Sequence, residues 1–133
     1  MRLRRILRPA AAGAILFLSL GSAPAQHSGL TALNTIERGQ WQLKQADGSA
    51  RKLCLTAPVA LIQLRHAGQQ CTQTVLDNSR DAATVRYECP GHGYGQTTVS
   101  VETARLIRVE TSGIVDGMPF QDEYEGRKLG PCG

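Results

Sequence analysis

Residues 84–101 read TVRYECPGHGYGQTTVSV, and this stretch decides the fold class. Its first six residues alternate between apolar and polar side chains, which places Val85 and Tyr87 on one face of a strand. The residues after the glycines alternate in the same way and place Val99 and Val101 on one face. Two half-buried strands joined by a glycine-rich connection predict an antiparallel hairpin.

The same alternation recurs along the rest of the chain. Asp47-Gly48 and Asp116-Gly117 supply tight turns between neighbouring runs. We therefore expect a mainly β protein, in which an antiparallel meander of about seven strands forms a barrel-like or sandwich sheet. Besides 84–89 and 96–103, the predicted strands cover 39–45, 51–55, 71–77, 105–111 and 119–128.

One short helix is predicted at about residues 57–66. Thr56 is expected to cap it, Pro58 suits its first turn and Gly68 ends it. We expect the helix to pack over one open end or face of the sheet. Its apolar stripe consists of Val59, Leu61, Ile62 and Leu64.

The first 25 residues have the three-part pattern of a secretory signal peptide. Basic residues precede an uncharged apolar run over Ala10–Leu20, and Ala23-Pro24-Ala25 supplies small side chains for cleavage. The apolar run has about half of the ~20 residues that a transmembrane helix needs. We therefore expect cleavage near Ala25, a periplasmic location without stable membrane insertion, and a single mature β-rich domain over 26–133.

The charge pattern argues against nucleic acid as a partner. The chain has 15 Lys and Arg against 11 Asp and Glu, for a formal net charge of +4. Four of the basic residues lie in the signal segment, which has no acidic residue, so the mature domain is neutral. Basic pairs remain at Arg51-Lys52 and Arg127-Lys128, whereas a nucleic-acid interface needs clustered basic residues that displace counterions.

Four cysteines, Cys54, Cys71, Cys89 and Cys132, all lie in the mature domain. An even number in an exported domain predicts two disulfides, and three pairings are possible. We prefer Cys54 with Cys71 and Cys89 with Cys132, because the first bridge would pin both ends of the helix. The competing pair is Cys71 with Cys89, which face each other across a hairpin centred on Arg80. No two cysteines have the close spacing of a zinc site, so no metal is expected.

The most unusual stretch is Gly91–Gly95, with the sequence GHGYG. A phosphate-binding loop has to open a helix, whereas an alternating strand follows this stretch. The glycines are therefore predicted to supply positive φ angles in a hairpin connection. His92 and Tyr94 then become exposed candidates for contact with a partner.

Catalytic groups are not evident, and we expect neither enzymatic activity nor a cofactor. Asp122, Glu123 and Glu125 could resemble a calcium site or an acid–base pair, but on a strand Asp122 faces away from the two glutamates. No Gly-x-Ser-x-Gly motif occurs, and two disulfides would consume every thiol nucleophile.

Several motifs occur in a characteristic order: residues 39–41 (GQW), 52–56 (KLCLT), Cys71, Cys89 and 126–132 (GRKLGPC). In this order the mature chain resembles the small bacterial envelope proteins grouped as domain of unknown function 3617. The resemblance implies a Gram-negative, exported, disulfide-linked β-rich domain. It supplies no catalytic residues to transfer to this chain.

The preferred hypothesis for function is a periplasmic, non-enzymatic module that binds a small apolar ligand or an envelope protein partner. The alternatives are a structural or stress-related envelope protein and an inhibitor of an envelope-targeting hydrolase. A cleft that joins His92 to a carboxylate would favour an enzyme. An open lumen would favour ligand binding, and a filled one would favour a module that acts through its surface. The residues predicted to line that lumen are Trp41, Val99, Val101, Ile107 and Phe120.

Overall fold

Seven antiparallel strands form one sheet in the computed structural model, which describes Gly13 and residues 29–133. The mainly β prediction is confirmed, and the predicted signal peptide lies outside the described residues apart from Gly13. Two 3-10 segments, Ala32–Thr35 and Pro58–His66, accompany the sheet, and we call the second the cover helix. The strands are β1 (Gly39–Lys44), β2 (Ala50–Leu55), β3 (Thr72–Asn78), β4 (Ala82–Cys89), β5 (Gly93–Thr103), β6 (Leu106–Val115) and β7 (Met118–Gly130).

The strand order is β2-β1-β7-β6-β5-β4-β3. Strands β3 to β7 form a meander, and β7 then runs back beside β1. Within the described residues β2 and β3 each pair on one side only, so the sheet is open and is not a closed barrel. The expected Asp116-Gly117 turn joins β6 to β7, and its two residues have the positive φ angles of 48° and 81° that a type I′ hairpin turn requires.

One face of the sheet, the inner face, is buried. In β4, Val85 and Tyr87 are fully buried while Arg86 and Glu88 between and beyond them are exposed. The cover helix and the shorter 3-10 segment pack against this face. The alternating pattern of β1 and β4–β7 builds the buried surface, whereas β3 is exposed along its whole length and β2 buries only Leu55. Among the largest fully buried side chains are Trp41, Tyr87, Leu33, Leu43, Leu55, Leu61, Ile62 and Ile107.

The cover helix is a short 3-10 segment with a kink. The kink lies at Gln63, where φ is −124° and ψ is 51°. Ala57 holds the N-cap position instead of Thr56, and no side chain caps the segment. The Gln63 amide donates hydrogen bonds to the carbonyls of His66 (3.0 Å) and Gln69 (2.9 Å), so the side chain of the kink residue holds the end of the segment and the loop that follows it.

The disulfides are Cys54–Cys132 and Cys71–Cys89. The preferred pairing was therefore wrong, and the competing Cys71–Cys89 bridge is confirmed. The cover helix carries the chain from β2 at one edge to β3 at the other, so Cys54 and Cys71 are separated by six strand spacings of about 4.8 Å each. Cys71 instead lies beside Cys89 where β3 pairs with β4, and Cys132 follows β7, whose end lies next to β1.

Two disulfides indicate that this chain folds in an oxidising, extracytoplasmic environment. None of the cysteines in the described part of the chain is free. Across residues 29–133, no helix combines the length and the apolar character that crossing a bilayer requires.

Candidate functional site

The glycine-rich stretch Gly91–Gly95 lies partly in a turn and partly in a strand. The His92 N–H donates a hydrogen bond across the turn after β4 (2.8 Å), and β5 begins at Gly93, earlier than predicted. The strand starts early because Gly93 and Gly95 pair with Cys89 and Tyr87 of β4. Gly91 and Gly93 have the predicted positive φ angles of 81° and 110°, whereas Gly95 does not, and a Cβ atom on Gly95 would lie 2.5 Å from the Tyr87 hydroxyl oxygen. The connection is therefore shorter than expected, and part of the glycine run makes room for Tyr87.

His92 and Tyr94, the residues predicted for partner contact, are both exposed. His92 Nδ1 lies 3.2 Å from Asp116 Oδ1, and the two side chains are 47% and 70% exposed. Tyr94 is 48% exposed and points outward from β5. The His92–Asp116 pair joins two turns at the same end of the sheet, but its exposure leaves it without the enclosed, oriented geometry of a catalytic acid–base pair.

Beneath these turns, His66 is buried and contacts hydrogen-bonding groups through both ring nitrogens. Nδ1 lies 2.9 Å from the Tyr87 hydroxyl, and Nε2 lies 3.0 Å from the His92 carbonyl oxygen. Because a carbonyl only accepts, Nε2 carries a proton, and the Tyr87 hydroxyl donates to Nδ1 when the ring is neutral. Through these two contacts His66 links the cover helix to β4 and to the turn that contains His92. Burial raises the pKa of the Tyr87 hydroxyl.

Asp122 lies on the inner face, whereas Glu123 and Glu125 point outward, as the alternation predicted. Arg65 of the cover helix contacts Asp122 twice, with Nε 2.5 Å from Oδ2 and Nη2 3.0 Å from Oδ1. The hydrogen bond from Arg65 lowers the pKa of Asp122 below its ordinary 3.8, although burial acts in the opposite direction. No three His, Cys, Asp or Glu side chains within residues 29–133 are grouped to hold a metal ion.

The side chains predicted to line a lumen instead fill the inner side of the sheet. Trp41, Val99 and Ile107 are each at most 1% exposed, Phe120 is buried, and Val101 packs partly buried against the same core. In the described part of the chain, every buried side-chain nitrogen or oxygen has a hydrogen-bond partner. Among residues 29–133, these five positions are therefore filled by packed side chains and do not line an open lumen, and no buried polar group is left unsatisfied.

The opposite side of the sheet is polar, and neither of the described helical segments covers it. We call this surface the open face and define it as the outward side chains of β1 and β4–β7. It holds two troughs of about 520 and 350 Å³, and Glu123 lines both. The larger trough is lined by residues that include Gln96, Thr98, Glu110, Ser112 and Gln121, and the smaller one by Lys44, Arg108 and Glu125.

Charged side chains on the open face pair with one another. Arg108 Nη1 lies 3.0 Å from Glu123 Oε1, and Arg127 Nε lies 2.8 Å from Glu125 Oε1. These pairs are exposed, so they contribute little to folding stability. In the smaller trough the charges of Lys44 and Arg108 balance those of Glu123 and Glu125. The larger trough is lined mostly by amide and hydroxyl groups, together with the carboxylate of Glu110.

An apolar corner ends the open face beside the His92 turn. Tyr94 on β5 lies opposite Ile114 on β6, and Ile114 lies opposite Pro119 on β7. Tyr94 and Pro119 are exposed, and Ile114 is half-buried. A partner on the open face would therefore meet a polar trough bordered by one exposed aromatic ring.

The sequence predicts Tyr94 as a partner contact, which stays a prediction, and it does not indicate how the other residues of the open face come together. The alternation of each strand predicts which of its polar side chains point to the open face. It does not predict which side chains of neighbouring strands lie next to one another, because that depends on the strand register. Comparisons with protein families, curated proteins and solved structures find no match for this chain.

Proposed function

We propose that this chain is exported to the periplasm, loses its signal peptide near Ala25, and acts there as a non-enzymatic module that binds an envelope protein through its open face. Two disulfides support an oxidising compartment. Membership of the domain of unknown function 3617 family, which rests on motif order, belongs to the same proposal.

The filled inner side is the observation that carries this proposal. In the described part of the chain, Trp41, Val99 and Ile107 are packed into the core beneath the cover helix and do not line an open lumen, which argues against a small apolar ligand on that side. The open face, by contrast, is broad, uncovered by the described helices and shaped into two adjoining troughs. A surface-acting module fits this arrangement better than a ligand carrier.

The chemistry of the open face favours a polypeptide partner. Exposed aromatic side chains are common anchors in protein interfaces, and Tyr94 occupies one end of the face. Gln96 and Gln121 offer amide donors and acceptors to a partner's backbone and polar side chains. The paired charges around them, such as Arg108 with Glu123, add no strong field that would select a polyanion.

Native mass spectrometry of the protein purified from its own envelope tests this function. We expect the mature domain to carry a polypeptide adduct. The double variant Ser112→Arg and Gln121→Arg changes two positions that pair directly between β6 and β7. It should reduce the amount of adduct about tenfold or more, which corresponds to a loss of ~1.4 kcal/mol of binding free energy or more.

The matched control is Gln69→Arg with Gln70→Arg, which adds the same charge at exposed positions outside the open face. This control should keep the adduct. Recovery of bare monomer, of a bound lipid-sized molecule, or of an adduct that the open-face variant retains would contradict the proposal.

A further inference from the structure

The two disulfides differ sharply in their access to solvent. Cys54 and Cys132 are both exposed. Cys89 is 1% exposed, and its partner Cys71 is half-buried. A dithiol in solution can therefore reach one bridge in the folded protein, whereas the other bridge is shielded by the core.

The exposed bridge also lies where another chain can approach. Cys54 is on β2, an edge strand with one side unpaired, and Cys132 lies in the exposed C-terminal segment after β7. An open groove of about 350 Å³ surrounds the bridge and is lined in part by Arg38, Leu55 and Pro131. Apolar and backbone groups beside an accessible disulfide suit the docking of an extended or loop segment that carries a thiol.

We propose that Cys54–Cys132 is a thiol–disulfide exchange site for dithiol oxidoreductases, and that Cys71–Cys89 is a permanent structural bridge. The attacking thiolate forms a bond to Cys132 Sγ, the Sγ–Sγ bond breaks, and Cys54 leaves as a thiolate. The second thiol of the dithiol then attacks the mixed disulfide and releases Cys132. The dithiol is oxidised to a disulfide, and the two cysteines gain two electrons and two protons.

Local charge favours Cys54 as the leaving group. Arg38 lines the groove beside both cysteines, whereas Lys52 lies two residues before Cys54 on the same outward side of β2 and so distinguishes Cys54 from Cys132. Positive charges stabilise a thiolate and so make it a better leaving group. The mixed disulfide should therefore form on Cys132.

Opening this bridge has a defined structural result. It releases the C-terminal residues after Gly130, while Gln40 still pairs with Gly130 across β1 and β7. It also removes a cross-link between positions 78 residues apart, which constrains the unfolded chain more than the 18-residue separation of the other bridge. The reduced domain should keep its sheet but unfold at a lower urea concentration.

Reduction kinetics on two single-bridge variants test the proposal. Cys71→Ser with Cys89→Ser leaves only the exposed bridge, and Cys54→Ser with Cys132→Ser leaves only the shielded one. Each folded variant is incubated with dithiothreitol, quenched with N-ethylmaleimide and mapped by mass spectrometry. We expect the exposed bridge to open at least about tenfold faster, because the shielded bridge has to wait for an opening of the structure.

Urea dependence separates native exchange from exchange through unfolding. Below the unfolding transition, the rate for Cys54–Cys132 should be nearly independent of urea, and that for Cys71–Cys89 should rise steeply. A single-cysteine thioredoxin-like protein, which cannot complete the second step, should be trapped on Cys132 of the wild-type domain. Equal rates, a steep urea dependence for the exposed bridge, or trapping on Cys71 or Cys89 would overturn the proposal.

Discussion

At the scale of single residues, side chains of the inner face attach the cover helix to the sheet. Asp122 binds Arg65 of that helix through two hydrogen bonds and accepts a third from Gln45 (3.3 Å). Arg65 also lies 5.5 Å from the centre of the Phe120 ring. The Asp122 side chain is only 8% exposed. The stability of the fold therefore depends more on the ionised form of Asp122 than on the ionised form of a surface carboxylate.

This dependence predicts a loss of stability in acid. Because the folded state lowers the pKa of Asp122 below 3.8, its contribution is present above that pH and is lost as pH falls through the lowered pKa. Asp122→Asn should cost about 1 kcal/mol at neutral pH, since Arg65 is 42% exposed and solvent screens the pair. Urea unfolding from pH 7 downwards should show this difference shrinking below about pH 4.

The matched control is Glu123→Gln, which removes an exposed carboxylate from the next position on β7. We expect a change in unfolding free energy within about 0.5 kcal/mol at every pH. An Asp122→Asn deficit that stays constant down to acid pH would show that the ion pair is not its cause.

Gly93 is the second residue on which the fold depends, because it lies at the start of β5 with φ of +110°. A Cβ atom there would overlap the Ile114 carbonyl oxygen and lie 3.3 Å from His66 Nε2. Gly93→Ala should therefore destabilise the domain by about 3 kcal/mol or more. Gly91→Ala, at φ +81° with no neighbour within 4 Å, should cost only about 1 kcal/mol. Equal unfolding midpoints for the two variants would contradict this packing argument.

At the scale of elements, hydrogen bonds of two buried threonines attach the cover helix to the sheet. Thr97 on β5 donates to the Ile62 carbonyl of that helix (2.5 Å), and its hydroxyl lies 2.7 Å from that of Thr111 on β6. Since Thr97 has one proton and gives it to Ile62, Thr111 donates to Thr97. The two hydroxyls thus supply a donor to the buried Ile62 carbonyl of the irregular 3-10 segment.

Thr97→Val tests this attachment, because it removes the hydroxyl with almost no change in side-chain volume. It should cost about 2 kcal/mol, because it leaves the Ile62 carbonyl buried without a donor. Thr98→Val, on the adjacent residue, removes a hydroxyl pairing with Thr84 (2.9 Å) on the open face, where water can replace it. We expect a change within about 0.5 kcal/mol for that control, measured by urea unfolding. Similar losses of unfolding free energy for both variants would contradict the role of Thr97 in attaching the cover helix.

Local pattern explains which elements could be predicted. The strands followed from alternation because the two-residue period is a property of neighbouring residues, as Val85 and Tyr87 show. The disulfide pairing could not be predicted in the same way, because it depends on the order of the strands in the sheet. The segment after β2 crosses to the opposite edge, where β3 begins. Likewise, the burial of His66 depends on the turn at His92, and no local pattern encodes that contact.

At the scale of the whole molecule, the sheet has one occupied side and one free side among the described residues. Trp41 and the other inner side chains fill the side beneath the cover helix. Polar troughs and an apolar corner at Tyr94 shape the other side. This division is the physical basis for the proposal that the open face binds a partner. Which residues lie side by side on that face depends on the strand register, which places Ser112 beside Gln121.

Site-specific photo-crosslinking in the native envelope tests that proposal most directly. A benzophenone amino acid is placed on the open face at Gln96 or Gln121, or outside it at Gln70, all of which are exposed. We predict that irradiation joins the domain to one polypeptide of constant mass from the two open-face positions and not from Gln70. Crosslinking from Gln70 alone, or equally from all three positions, would contradict the account, as would its absence at both open-face positions.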